Sequence, residues 1–415
     1  MKRSIPLWIF LLALSVHAAS MLGLEALGKP TEGASAITLG RGYSGGAKAL
    51  SGYVEWNPAS IAFEENTSFN ASMVFEENVA SRGGNSYASS TLEIPSLSFL
   101  FAMHKFGAVS LSLSQKYTSN LDEEVDDPKN TSLAKIEYKG NIYEIVPAYA
   151  VRMPFFRKIS LGFAAHFVMG SVSRKLTLGA DNSQVPAEDS WATNDAELTE
   201  SADGSWKIKD HPAYYTGAVF YKGRRASYYF SYTTGYTLRN TLDYDLQFSQ
   251  VDTLVPTKLR RDIDVPPTLA TGIAYRFKKR HHIMLDFMLR GWDMDIRNIA
   301  GGWNLEDSTS TQTEFLVGAG YERSGSSDYF KKYLQRMDFR FGGWFRNYYI
   351  ADVKEFGGSL GVGFPLGRRS TKIDIAVQGG LRQSDDDTVW DEKFIGIAIG
   401  LTGVGNWGNK AKTVH

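Results

Sequence analysis

The stretch Lys372-Ile373-Asp374-Ile375-Ala376-Val377-Gln378-Gly379-Gly380-Leu381 decides the fold class. In an extended chain Ile373, Ile375, Val377, Gly379 and Leu381 fall on one face, and Lys372, Asp374, Ala376, Gln378 and Gly380 on the other. That is a strand with one apolar and one wet face. Ile395, Ile397, Ile399 and Leu401 alternate with Gly396, Ala398 and Gly400 in the same way, and Val109, Leu111 and Leu113 alternate with Ser110, Ser112 and Ser114. Helical periodicity fits none of these. The pattern predicts fourteen strands, at 69–75, 94–104, 108–117, 141–152, 159–172, 211–221, 226–236, 267–277, 283–294, 312–323, 337–349, 355–364, 372–383 and 391–402.

Short and long connections alternate between them. Lys105-Phe106-Gly107, Pro154 to Lys158, Lys222 to Arg225, Lys278 to His282 and Gly367 to Ser370 are tight, and only Ser324 to Arg336 on that side is longer. The stretches Thr118 to Gly140, Arg174 to Asp210 and Thr237 to Pro266 read as long polar loops. Barrels of the bacterial outer membrane have an even number of strands, short periplasmic turns and longer extracellular loops, which a periplasmic start reproduces here. Charge sorts with the turns. Arg157, Lys158, Lys222, Arg224, Arg225, Lys278, Lys279, Arg280, Lys331, Lys332, Arg368 and Arg369 sit at short ends, and Asp122, Glu123, Glu124, Asp126, Asp127 and Asp385 to Asp387 at long ones. A soluble β-sandwich would have to bury its apolar faces in a core and gives no reason for this asymmetry. The expectation is an all-β, 14-stranded antiparallel transmembrane barrel over residues 67–402, set in outer-membrane lipid and lipopolysaccharide. Asp286, Arg290, Arg276, Asp338, Arg340, Asp374 and Lys372 should face a wet lumen. Tyr143, Tyr149, Tyr228, Phe230, Tyr232, Phe339 and Phe341 suit the outer face and its interfacial girdles.

Lys2 and Arg3 precede an apolar run from Ile5 to Val16, and Val16-His17-Ala18 has the residues expected before a cleavage point, so 1–18 reads as an export signal. Its loss takes the balance of 45 Lys+Arg against 45 Asp+Glu to a net charge of about −2, with no basic tail and no electrostatic case for a nucleic-acid partner. Cysteine is absent, which excludes disulfides, thiolate metal sites and cysteine nucleophiles. Residues 403–415 read as a polar periplasmic tail.

Residues 19–66 do not read as strand, and a fourteen-stranded barrel is too wide for its own side chains to fill. This segment is the available plug. Gly40-Arg41-Gly42-Tyr43-Ser44-Gly45-Gly46-Ala47, followed by Trp56-Asn57-Pro58-Ala59-Ser60-Ile61-Ala62, offers tight turns and close backbone packing. The run from Gly40 to Ala62 resembles the N-terminal hatch of the FadL-like outer-membrane superfamily, which includes long-chain fatty-acid and hydrocarbon channels and the PorV/PorQ barrels of type IX secretion. Gly42, Gly45, Gly46, Trp56, Asn57, Pro58 and Ala59 carry the match. The family's frequent acidic pair before the aromatic-Asn-Pro turn is replaced around Ser51-Gly52-Tyr53-Val54, while Gly400-Leu401-Thr402 and Trp407 resemble the closing strand and trailing Trp of the PorV-like branch.

Catalytic and metal motifs do not survive their context. Gly42-Tyr43-Ser44-Gly45-Gly46 fits G-x-S-x-G, and Gly40, Gly42 and Gly45 fit G-x-G-x-x-G, but neither the strand–elbow–helix nor the βαβ unit they require is present in the pattern. The histidines lack metal spacing and read as surface imidazoles. Asp385-Asp386-Asp387 and the pair Asp243 and Asp245 lack a calcium loop's glycine and terminal Glu. His166 and Ser160 are six residues of strand apart, about 20 Å, too far for a phospholipase pair. No catalytic residue, metal site or cofactor is expected.

The resemblance implies passive transport of small hydrophobic molecules, or alternatively a non-conducting scaffold that holds secreted cargo or joins secretion-system proteins. Pro147 bears on the first, because its missing N–H in mid-strand leaves a ladder bond unmade and permits a lateral opening. The topology makes a prediction. Single cysteines at Thr199 and Asp386 should react with a membrane-impermeant maleimide on intact cells, and one at Gly223 should not; the reverse labelling would invert or abolish the barrel.

Overall fold

A strand crossing lipid has no water for its backbone, so each N–H and C=O must find a partner on a neighbouring strand. The computed structural model meets that demand with a closed ring. Its strands are β1 (Thr67–Arg82), β2 (Asn85–Ala102), β3 (Ala108–Thr118), β4 (Ser132–Arg152), β5 (Ile159–Ala180), β6 (Ala213–Lys222) and β7 (Ala226–Thr233). The second half is β8 (Thr268–Lys278), β9 (His281–Arg290), β10 (Glu314–Arg323), β11 (Asp338–Asn347), β12 (Val353–Pro365), β13 (Lys372–Ser384) and β14 (Asp391–Gly405). Each pairs antiparallel with its neighbour, and β1 pairs with β14 from Thr67↔Gly405 to Ser81↔Asp391, which closes the barrel. The structure describes residue 20 and residues 27–31, 33–48, 55–82, 85–103, 107–119, 121–126, 132–180, 199–208, 212–247, 257–297, 308–366, 371–384 and 391–405. Residues 1–18, read as an export signal, Ser51 to Val54, Asp385 to Asp387 and Trp407 therefore lie outside the described residues.

Alternation places the apolar set on the outside. Ile395, Ile397, Ile399 and Leu401 of β14 are exposed, as are Tyr149, Tyr228, Phe230, Tyr232 and Phe341, while Tyr143 and Phe339 on the same faces are partly covered. These side chains meet lipid rather than a core.

Three expectations need correction. The polar stretches are not simply loops, since residues 121–126 pair with the start of β4, residues 199–208 pair with the end of β5 and with 236–247, and 236–247 pair with 257–265. Beyond the membrane neither strand face meets lipid, so alternation loses its selective pressure and the pattern carries no signal. β1 and β2 likewise run on to a tight hairpin at 82–85 where shorter strands were expected. The third correction concerns the lumen. Asp286, Arg290, Asp338, Arg340 and Asp374 do point inward but are buried, and Lys372 is partly covered, so the interior is packed; Arg276 alone of that group is exposed, at the periplasmic mouth.

The N-terminal segment does the packing. Lys29–Pro30 pairs with Thr118 and Tyr117 at the outer end of β3, a short helix at Ala36–Leu39 lies against β12, β13, β14 and β1, and a 3-10 turn at Pro58–Phe63 lies against β3 to β6. Ser35 caps the helix, its Oγ accepting from Thr38 N–H while Thr38 Oγ1 accepts from Ser35 N–H. Glycines in the wall admit the segment's backbone. A Cβ at Gly318 would strike Gly42 O, one at Gly320 Arg41 O, one at Gly342 Arg41 C, and one at Gly162 the backbone of Ala59. Gly342→Val should therefore lower thermal stability by about 1–3 kcal/mol through overpacking. Gly358→Ala on the neighbouring strand, whose Cβ would find only Gly342 O at 3.8 Å, should leave the melting temperature unchanged. Equal melting of the two variants would mean that residues 40–43 do not press on β11.

The candidate functional site in the lumen

Local conformation brings the N-terminal segment to the wall. Gly42 (φ 63°), Tyr43 (φ 56°) and Gly45 (φ 113°) take left-handed conformations that reverse the chain, and the Tyr43 ring meets Trp344 of β11 edge-on at 5.2 Å. The turn then presents two N–H groups to one carboxylate. Gly45 N–H donates to Asp286 Oδ2 at 2.6 Å and Gly46 N–H to Asp286 Oδ1 at 3.1 Å. Asn57 Nδ2 donates to Gly46 O at 2.7 Å, so the glycine run and the aromatic-Asn-Pro turn are joined directly. Pro58 opens the 3-10 turn, where its missing N–H costs nothing. Ala59 O accepts from Ser160 Oγ at 2.7 Å, and Trp56 is buried. All seven residues singled out from the resemblance thus lie together against the inner wall.

Around this segment the inward charges form two tiers. Near the periplasmic end Glu322 receives Arg41, Lys48 and Arg340 Nε (3.2 Å), and Arg340 continues to Asp374 at 2.5 Å and Asp338 at 2.8 Å, where Lys372 also arrives. Toward the outer end Arg382 Nε donates to Glu355 at 2.6 Å, Nη1 to Asn78 at 2.8 Å and Glu392 at 2.9 Å, and Nη2 to Glu76 at 2.9 Å. Lys29 joins Glu76 at 2.5 Å, and Glu314 receives Arg290 at 3.1 Å and Arg346 at 2.6 Å. Pairing of this kind is what permits charge in a space closed to water, since removing one partner strands the other at a cost of about 3–5 kcal/mol. Arg382 is fully hydrogen-bonded, but Arg346 Nε in the outer tier, like Arg41 Nε and Nη1 and Asp374 Oδ2 in the inner one, has no hydrogen-bond partner.

A third group corrects the reading of His166 as a surface imidazole. It is buried, with Nδ1 3.0 Å from Glu144 Oε2 and Nε2 2.8 Å from Thr216 Oγ1, and Lys116 lies 2.8 Å from Glu144. The order carboxylate, imidazole, hydroxyl is that of a hydrolytic triad. The cavity beside it is about 30 Å³. Ser160, the other partner considered, is bonded to Ala59. The side chains of Asp243 and Asp245 lie outside the described residues, and no group of three metal-ligating side chains occurs among those described.

At the periplasmic face a cavity of about 430 Å³ is lined by Glu64, Glu65, Gly107, Arg152, Met153, Pro154 and Arg157. Burial raises the Glu64 carboxyl above its ordinary range, against the opposing pull of Lys222.

A family model described as BamG matches residues 53–413. The chain belongs to the BamG family. Solved structures of outer-membrane transport barrels share the fold of this BamG barrel. It is similar to a Pseudomonas aeruginosa FadL homologue at 12% identity and a TM-score of 0.63, covering 92% of this chain and 100% of that one. The Pseudomonas putida toluene transporter TodX gives 15% identity and 0.57 over 92% and 100%, and the Ralstonia pickettii toluene transporter TbuX 16% and 0.54 over 90% and 99%. No curated protein matches the chain.

Sequence reading missed the carboxylates that hold the segment, Glu322 and Glu76, and their partners Arg41, Lys29 and Arg382. Their signal was available. Each strand member occupies the inward parity of a strand whose other face is apolar. If Asp286 holds the turn in the lumen, Asp286→Leu and Gly46→Val should both enlarge ion conductance in planar bilayers, with Asp286→Asn, which keeps one acceptor oxygen, in between. Wild-type conductance in both, in folded protein, would place residues 40–62 outside the lumen.

Proposed function

We propose that this barrel lets small hydrophobic molecules cross the outer membrane passively, leaving the lumen sideways through the wall beside Pro147. The observation that carries this is a gap in one ladder. Between β4 and β5 the pairing reaches Ile145↔Phe167 and resumes only at Ala148↔Ala164, so Val146 and Pro147 have no ladder partner opposite His166 and Ala165. Toward β3 the same residues are paired, Pro147 with Leu111 and Val146 with Ser112. A proline supplies no N–H there, and the sheet is weakest where a bond is missing. Val146, Ala148 and Ala164 are buried on the lumen side of the gap, beside the pair His166 and Glu144. The fold shared with two toluene transporters supports the same ligand class.

A second reading, a non-conducting scaffold for secretion or surface attachment of cargo, draws support from the filled lumen, in which Arg382 alone makes four hydrogen bonds.

Pro147→Ala restores the donor and should stabilise the local sheet by roughly 0.5–1.5 kcal/mol, the net worth of one hydrogen bond. Accumulation of labelled toluene and of a labelled fatty acid by cells should then fall at equal outer-membrane abundance. Unchanged uptake removes the lateral route, and wild-type uptake no higher than an empty-vector strain favours the scaffold.

A further inference from the structure

Where the N-terminal segment meets the periplasmic mouth there is a cavity of about 310 Å³, lined by Ala47, Lys48, Phe220, Lys222, Gly223, Arg224, Arg225, Ser227, Ala274, Arg276 and His282. Its lining contains five cations and an imidazole but no carboxylate. We propose that this cavity is a binding site for an oxyanion, a phosphate or carboxylate group borne by a small molecule.

The cations are held in place rather than scattered. Arg276 N–H donates to Arg225 O at 2.6 Å and Arg276 Nη2 donates to Arg224 O, so β8 pins the turn after β6 with its arginines at the rim. The turn needs Gly223, because a Cβ there would collide with Ala226 O. Among the described residues no carboxylate lies within ion-pair distance of Arg224, Arg225 or Arg276. Two carboxylates stand nearby and are engaged elsewhere. Glu322 takes Lys48 on the side facing β10, and Glu64 faces Lys222, whose ammonium also lies 4.9 Å over the Phe63 ring. His282 Nδ1 is buried without a hydrogen-bond partner at the same wall. Arg224, Arg225 and Arg276, gathered at the mouth with no carboxylate in ion-pair reach among the described residues, repel one another, and an anion removes that repulsion while supplying acceptors to the guanidinium forks. Phe220, Ala47 and Ala274 give the cavity an apolar floor, so an anion carrying a short alkyl chain gains contacts that a free ion lacks.

Calorimetry on the full-length protein in detergent tests this, with inorganic phosphate in one arm and decyl phosphate in the other. Saturable binding of either ligand at low salt is expected, weakening by about tenfold or more in the Arg224→Gln/Arg225→Gln double variant. Both changes are in an exposed turn, and heat-modifiable migration on gels confirms that the barrel is folded. Binding of both ligands points to a free anion, and binding of decyl phosphate alone to an amphiphile; each supports the site. Lys331→Gln/Lys332→Gln, at another basic turn, should bind as wild type does. Absence of binding by both ligands overturns the proposal, as does equal loss in the two double variants, which would leave only a diffuse surface field.

Discussion

Closure of β1 on β14 is the constraint from which the rest follows. Once the ladder is complete no backbone group faces lipid unpaired, and side chains are free to sort by parity, apolar outward and polar inward. That sorting creates a second problem. Fourteen strands enclose more space than their own side chains occupy, and the inward faces carry carboxylates and guanidinium groups that need partners once water is excluded. The N-terminal segment answers both needs, with backbone lying on wall glycines and with Lys29, Arg41 and Lys48 completing the ion pairs of Glu76 and Glu322.

Both tiers leave buried polar atoms without a partner. Arg382 is fully engaged near the outer end, but Arg346 there leaves its Nε unbonded, and Arg41, near the periplasmic end, leaves two of its nitrogens unbonded. A partly satisfied buried network is weaker than a complete one.

Much of this was legible in the sequence. All fourteen strands follow from period two, because lipid on one face enforces alternation, and the inward charges Asp286, Arg290, Asp338, Arg340 and Asp374 follow from parity. The extensions at 121–126, 199–208, 236–247 and 257–265 were not legible, since a strand with water on both sides has no hydrophobic period. Individual contacts were out of reach too. The glycine run from Gly40 to Gly46 announces tight turns, but that Asp286 would accept both N–H groups depends on the register of β9 against the segment. His166 shows the same limit. Its neighbours Glu144 and Thr216 come from adjacent strands, and only pairing brings the three together.

Residues 33–48 lie inside the barrel against β10 to β13. A Cβ added at Gly40 would stand 3.4 Å from Ala376 Cβ, close to the separation across a disulfide. In a chain without cysteine, Gly40→Cys with Ala376→Cys provides an unambiguous pair. Oxidation of outer membranes carrying this variant should join the two thiols, seen as protection of both from alkylation that is reversed by reductant, while each single variant stays alkylated. Two freely alkylated thiols after oxidation, in a folded barrel, would put the segment elsewhere and contradict the account.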